Sequence, residues 1–566
     1  METKLINKKS ITIFTLLIYL LSVCVFELGY CNSTFLATKV DYNFSLIRII
    51  FYVISFIIIF LLKNKFIDES IETNTSKVKR ILIYISIFVT TIVFLVYLYV
   101  LYKNILIARG MSIAMLAILF TCLFIVYASN NVSKNTLILI LTFGFVFSIS
   151  TDFNHAIDEK KHFMSAFNLA NFNFDYAKEP ITDVKLNEIP HFTKFTLIDD
   201  LLKEKYTPEL TYNVEMEDVP STPATYPFIA YVAPAIGIFL AKTFGGSIAD
   251  LYFFGRIFNL LLYAILCFIA LKILPFKKNI LATIMAFPYL ILLSASFSID
   301  GFCMGVVAIF IAYCFKIYKE KETITLKNVG ILLGLFILML TAKSMSYIFV
   351  AAIALILPIM KTLKKNKKYI PIIAIITVIV AIGILVLGIY IKNTQVTTDT
   401  RIKDTDAEQQ LHLILHDPAG DFTVATNQVK TTLLNHTWYD LLHPDIFFKQ
   451  DGKYLLFILE LFLLYVAITE DDYNFKFKDK IIMVISFLLV YAMTSAVLYI
   501  SCTPVGADTV NGYQTRYILP ILPLLLFGLS TKKLKKDKSK NRNMLIQLTM
   551  SLFLVCSVLQ TYIEIL

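Results

Sequence analysis

Charge is scarce in this chain. Asp, Glu, Lys and Arg make up 16% of its 566 residues, while 57% are hydrophobic. About a quarter of an ordinary soluble domain is charged, so this balance excludes one and leaves a polytopic membrane protein. Tryptophan is nearly missing, Trp438 being the single instance. The eight cysteines show no metal-ligand spacing, and Cys122, Cys267, Cys303 and Cys314 fall within apolar runs. That gives no zinc module, and the one pair near outer helix ends where a disulfide could form is Cys31 with Cys502. There is no internal repeat and no low-complexity tract. The net charge is +11, yet no basic stripe lies on a soluble face. Lys and Arg sit in short clusters between apolar segments, so the charge reports membrane sidedness and no nucleic-acid partner.

Long apolar runs are what the chain has instead. A helix needs roughly 20 apolar residues to cross the hydrocarbon core, and five candidates come first, at about 11–30, 46–62, 81–102, 111–128 and 136–150. The first follows Lys8 and Lys9 but lacks a small-x-small cleavage site, so it reads as a retained helix rather than a signal peptide. With the N-terminus cytoplasmic, the loop holding Lys63, Lys65, Lys77, Lys79 and Arg80 is internal, and the fifth helix delivers the acidic stretch 151–226 to the outside. Residues 226–244 are apolar enough to span. Counting them as a crossing would turn the clusters at Lys277–Lys278, Lys316–Lys321, Lys361–Lys368 and Lys532–Arg542 outward. They are therefore expected to form an outer-face interfacial or re-entrant helix, broken by Pro227 and Pro234 and ended by Gly245–Gly246. The later spans fall near 251–274, 280–297, 301–318, 328–342, 346–361, 369–391, 454–469, 480–500, 516–530 and 543–562. The expected fold is an all-α polytopic membrane protein with about 15 transmembrane helices, interfacial helices, and two long external loops, the second at 392–453.

The ionisable residues at outer helix ends form a small set. The stretch TDFNHAIDEKKHF opens the first external loop. If the preceding helix continued through it, His155, Glu159 and His162 would share one face at i, i+4 and i+7, with Asp152 and Asp158 beside them. That H-x-x-x-E-x-x-H spacing makes His155, Glu159 and His162 candidates for a divalent metal. Asp158 with Glu159 equally reads as a general base with an orienting carboxylate, or as a solvated acidic turn. Asp300, in SASFSIDG, is either a site acid or the cap of a helix starting near Gly301. Lys343, in TAKSMSY, is either a site cation or a side chain snorkelling to the interface. Arg516, in NGYQTRYILP, sits at a helix start where the macrodipole disfavours a cation, which points to a specific task. His412, His416, His436 and His443 read as surface histidines, and Asp417 as the start of a turn or helix.

Taken in order, DE-x-x-H after a helix end, Y-P with an interfacial helix, R-x-x-N-L-L (Arg256–Leu261), S-x-S-x-D (Ser296–Asp300), K-x-x-x-Y (Lys343–Tyr347), EQQLHLILHDP and G-Y-Q-T-R-Y-x-L-P resemble the bacterial membrane proteins grouped as domain of unknown function 2142. Those proteins in turn resemble the GT-C superfamily of polytopic glycosyltransferases. The resemblance covers roughly 136–530, leaving 1–135 as an added four-helix membrane module, 136–391 as a GT-C-like core with its first external loop at 151–250, 392–453 as an external loop subdomain, and 454–566 as C-terminal membrane helices. One departure is Ile157, where the family carries Pro before its acidic pair. The resemblance implies an inverting glycosyltransferase in the cell membrane with its site on the extracytoplasmic face. It would use a polyprenyl-phosphate sugar donor and a cell-surface glycan or envelope polymer as acceptor. Asp158 or Glu159 would be the first-loop acid and Asp300 the second-loop acid. On this reading Asp158 is the base, oriented by Glu159 or His162, with His155 in support. Arg516 and Lys343 hold the donor phosphate, and Trp438 and Tyr439 either stack on a sugar or pack an external subdomain. The competing reading is a transporter or flippase of a lipid-linked glycan.

Overall fold

The computed structural model describes residues 15–27, 45–66, 115–121, 130–174 apart from 152 and 155, 207, 226–320, 324–357 apart from 343, 402–431, 453–529 apart from 471, and 542–565. Among these residues the regular elements are helices. We label them α1 (Thr15–Glu27), α2 (Leu46–Phe66), α3 (Val132–Ser150), α4 (Glu159–Ala170), α5 (Val232–Thr243), α6 (Ile248–Ile273), α7 (Lys278–Met285), α8 (Pro288–Ser294), α9 (Asp300–Glu320), α10 (Leu326–Ala342), α11 (Ala407–His416), α12 (Pro418–Val429), α13 (Lys453–Thr469), α14 (Phe477–Cys502), α15 (Leu522–Leu529) and α16 (Arg542–Ile565). Four of them, α3, α6, α9 and α14, are long and apolar enough to cross a membrane. The chain is therefore a helical membrane protein.

Three expected spans are not single α-helices. The segment read at 280–297 is α7 and α8, divided at Ala286–Phe287, because Pro288 opens the second helix and has no N–H with which to continue the first. That at 346–361 is a 3-10 helix over Ser344–Ile356. That at 516–530 begins as a 3-10 turn, Thr515–Tyr517, and becomes α-helical only at Leu522. The spans read at 81–102 and 369–391, most of 111–128, and Trp438, Tyr439, His436, His443 and Cys31 lie outside the described residues.

The polar bonds sort the helix ends into two groups. At one end Asn543 reaches Asn130, Arg542 reaches Thr469, Asn279 and the backbone at 279–280 hold Glu470, and Tyr318 holds Asp479. The start of α3, the ends of α6, α9 and α13, and the starts of α14 and α16 therefore meet there. At the opposite end Arg48 joins Glu27 (3.0 Å) and Asp250 (3.2 Å), tying α1 and α2 to the first turn of α6. Asp250 also closes a capping box with Ser247. Asp417 begins a helix as expected, accepting from Gly420 N–H at the start of α12. His412 and His416 are exposed and stack on each other.

The segment 226–244 forms a 3-10 turn, Phe228–Tyr231, running into α5. Ala230 and Pro234 of this segment line a crevice together with Asn259 of α6, and just beyond its end Gly246 lies against Asp250. Gly237 lets the two backbones touch between these points: a Cβ there would stand 2.2 Å from the Phe254 carbonyl oxygen. The segment thus lies along the first half of α6, and its helical length of about 25 Å falls short of the hydrocarbon core.

Candidate functional site

α3 stops at Ser150. Thr151 caps it, donating both its N–H (3.1 Å) and its hydroxyl (2.8 Å) to Phe147 O. Ser, Thr, Asp and Asn crowd this stretch, and such side chains compete with the helical ladder for backbone groups. The chain then turns through two left-handed residues, Asn154 (φ 56°) and Asp158 (φ 60°), before α4 begins at Glu159. This corrects the expectation of one continuous helix. Glu159 and His162 do not continue α3, because the described residues between Thr151 and Asp158 are turns and bends and these two belong to a new helix. Asp152 and His155 lie outside the described residues.

Glu159 is fully buried in a two-pronged ion pair with Arg256 of α6, Nε to Oε1 at 2.8 Å and Nη2 to Oε2 at 2.9 Å. The same carboxylate accepts from the backbone N–H of Ala156 (3.3 Å) and Phe297 (3.1 Å). Arg256 Nη1 donates to the carbonyls of Ser148 (3.0 Å) and Thr151 (2.7 Å). One pair therefore fixes the end of α3, the turn, the start of α4 and the segment leading into α9. Arg256 carries this arrangement and had no role assigned from sequence. Its signal was a guanidinium in the middle of an apolar helix, which is costly unless paired.

Asp158 and Asp300 meet on Arg516. Nη2 of Arg516 lies 3.0 Å from Asp158 Oδ2 and Nη1 lies 3.1 Å from Asp300 Oδ2. The arginine and Asp300 side chains are buried, at 6% and 4% exposure, whereas Asp158 is 40% exposed. The Ser298 hydroxyl donates to Asp300 Oδ2 (2.9 Å) and accepts the Asp300 N–H (3.2 Å), holding that carboxylate at the first turn of α9. Asn259 secures the same segment by donating to the carbonyls of Ser296 and Ser298, each at 2.8 Å. Arg516 arrives because the chain after α14 folds back into the bundle: Tyr513 packs on Tyr491, Tyr517 packs on Tyr513, and Tyr347 donates to Tyr517 O at 2.7 Å. Three positions far apart in sequence thus form one ion-paired group. Its depth is set by Arg256 and Asn259, two to three turns in from the Ile248 end of α6, or about 12–16 Å along the axis.

His162 is buried, with Nδ1 2.8 Å from the Tyr231 hydroxyl. Burial pushes its pKa down to about 4. Asp158 opposes that shift, Arg516 adds to it, Asp300 opposes it and Lys161 adds to it. The imidazole is neutral at pH 7. Because its folded pKa lies below the ordinary 6.5, His162 stabilises the fold above that value and loses this contribution as pH falls toward 4. Wild type should lose about 2 kcal/mol more stability than His162→Gln between pH 7 and pH 5. Thermal unfolding in detergent at the two pH values checks this, and parallel curves would sink it.

Of the proposed metal ligands, His155 lies outside the described residues. Both Glu159 oxygens are taken by Arg256 and backbone N–H groups, His162 Nδ1 is engaged with Tyr231, and no group of three His, Cys, Asp or Glu among the described residues is placed to hold an ion. Lys343 lies outside the described residues.

Comparison with curated proteins and with solved structures finds no match. Residues 139–525 of the 566 match the profile of the family described as "Predicted membrane protein (DUF2142)". That stretch runs from within α3 to within α15 and holds Asp158, Asp300 and Arg516, and the chain belongs to this family.

Proposed function

We propose that the chain is an inverting membrane glycosyltransferase of GT-C type. It would move a sugar from a polyprenyl-phosphate donor to a hydroxyl of a cell-surface glycan or envelope polymer on the extracytoplasmic face of the cell membrane. The observation that carries this reading is the Asp158–Arg516–Asp300 group, recessed by two to three turns below the Ile248 end of α6. A recess at that depth suits a reacting head group whose tail lies in lipid.

In this reaction Asp158, the exposed acid, takes the proton of the acceptor hydroxyl. The acceptor oxygen bonds to the anomeric carbon from the face opposite the leaving group. The bond from that carbon to the phosphate oxygen breaks, and its electron pair leaves with the polyprenyl phosphate. Arg516 stabilises the charge that grows there, with Lys343 as a second cation. Asp300 holds Arg516, and the Glu159–Arg256 pair holds the backbone from which both acids project.

The test is transfer in liposomes holding the full-length protein, a radiolabelled polyprenyl-phosphate sugar and a glycan acceptor. Asp158→Asn should slow transfer by about a hundredfold or more with its unfolding temperature unchanged. A wild-type rate in that variant would end the proposal. One observation favours a second reading, a flippase of a lipid-linked glycan: the α3–α4 break and the short α5 bring interrupted helices to an ionisable cluster, as transporters do. Movement of a fluorescent lipid-linked glycan between leaflets without sugar transfer would support that reading instead.

A further inference from the structure

Arg516 is gripped incompletely. Its Nη1 serves Asp300 and its Nη2 serves Asp158, but its Nε, on a residue 5% exposed, has no hydrogen-bond partner. Nε and Nη2 lie on one edge of the guanidinium, the edge that takes the two oxygens of a carboxylate or phosphate side by side. Arg256 shows that edge fully used, with Glu159 on both nitrogens at 2.8 and 2.9 Å. On Arg516 the same edge is only half occupied, and a buried N–H left without an acceptor is a cost that a ligand can remove.

The two acids differ in how firmly they are held. Asp300 is buried and fastened by the Ser298 hydroxyl, whereas the Asp158 side chain is 40% exposed. Asp158 is the arm that can let go. With both carboxylates ionised the group carries one net negative charge, so an arriving anion is repelled until Asp158 moves off the guanidinium.

We infer that the Asp158–Arg516 pair is a latch opened by a lipid-borne phosphate. The phosphate takes Nε and Nη2 of Arg516 together, displaces Asp158 from Nη2, and releases the Asp158 carboxylate toward the acceptor. This inference rests on the transferase reading and adds an order to it, donor before acceptor. Before the donor arrives, the base is tied to the arginine and does not activate water. Once the donor is seated, the same event that completes the phosphate grip uncovers the base.

The experiment reads binding rather than turnover. Full-length protein in nanodiscs is titrated with a polyprenyl monophosphate, and separately with inorganic phosphate. Asp158→Asn and Asp158→Ser remove the competing carboxylate and should each bind the polyprenyl phosphate about tenfold more tightly than wild type. Adding Arg516→Lys to Asp158→Asn should cancel the gain, because an ammonium has no two-pronged edge. Unchanged or weaker binding by both Asp158 variants overturns the latch. An equal gain for inorganic phosphate assigns the edge to free phosphate and overturns the lipid-borne ligand. Neither result bears on whether Asp158→Asn transfers sugar, so the latch and the transferase reading fail separately.

Discussion

If the chain is the proposed transferase, replacing Arg516 with alanine should lower sugar transfer by about 10^4-fold, because on that proposal one side chain both stabilises the leaving phosphate and positions the two acids it bonds. The variant strands the buried Asp300 carboxylate, so part of the loss could come from misfolding. Arg516→Lys separates the two effects. It keeps a cation beside Asp300 but cannot bond two carboxylates and a phosphate in fixed directions. Transfer should fall by about 10^2-fold while the unfolding temperature stays near that of wild type. Adding Asp158→Asn to Arg516→Ala should lower the rate little further, since groups acting as a unit do not contribute additively. Rates in the same liposome assay, with unfolding curves for each variant, decide the matter. A lysine variant at wild-type speed would show that charge alone suffices and that the directed contacts are idle.

Breaking the Glu159–Arg256 pair should have the largest effect on stability. Arg256→Met leaves a carboxylate with no exposure and no counter-charge, along with two carbonyls that lose their donor. Removing one partner of such a pair costs about 3–5 kcal/mol. Glu159→Gln leaves the guanidinium stranded and should cost a similar amount. The double variant Glu159→Gln/Arg256→Met removes both charges, and most of the loss should be recovered. Its transfer rate should stay low even so, because the turn carrying Asp158 and the segment carrying Asp300 are no longer tied together. Additive losses in the double variant, measured by thermal unfolding, would mean the two residues act independently.

The four long apolar helices, ending at Ser150 and Ile273, beginning at Asp300 and ending at Cys502, were legible because a membrane helix needs a long, mostly apolar run. The convergence of Asp158, Asp300 and Arg516 followed from placing charged residues at the same ends of different helices. What the linear pattern concealed was local. Nothing in the spacing of His155, Glu159 and His162 distinguishes a continued helix from a turn with two left-handed residues. Pro288 did signal the α7–α8 break, but apolar residues on both sides hid it within one hydrophobic window. The pairing of Glu159 with Arg256 joins positions 97 apart, and a choice of partner across that distance is made by packing, which one sequence does not display.

The torsion at Asp158 also governs which amino acids the site can tolerate. A φ of 60° is a conformation that short polar side chains such as Asp and Asn enter more readily than other non-glycine residues. A carboxyl group at this position is therefore coupled to a particular backbone twist. Glutamate, one methylene longer and chemically the nearest relative, is a poor substitute on both counts, so the identity of this acid is written in the main chain as much as in its charge.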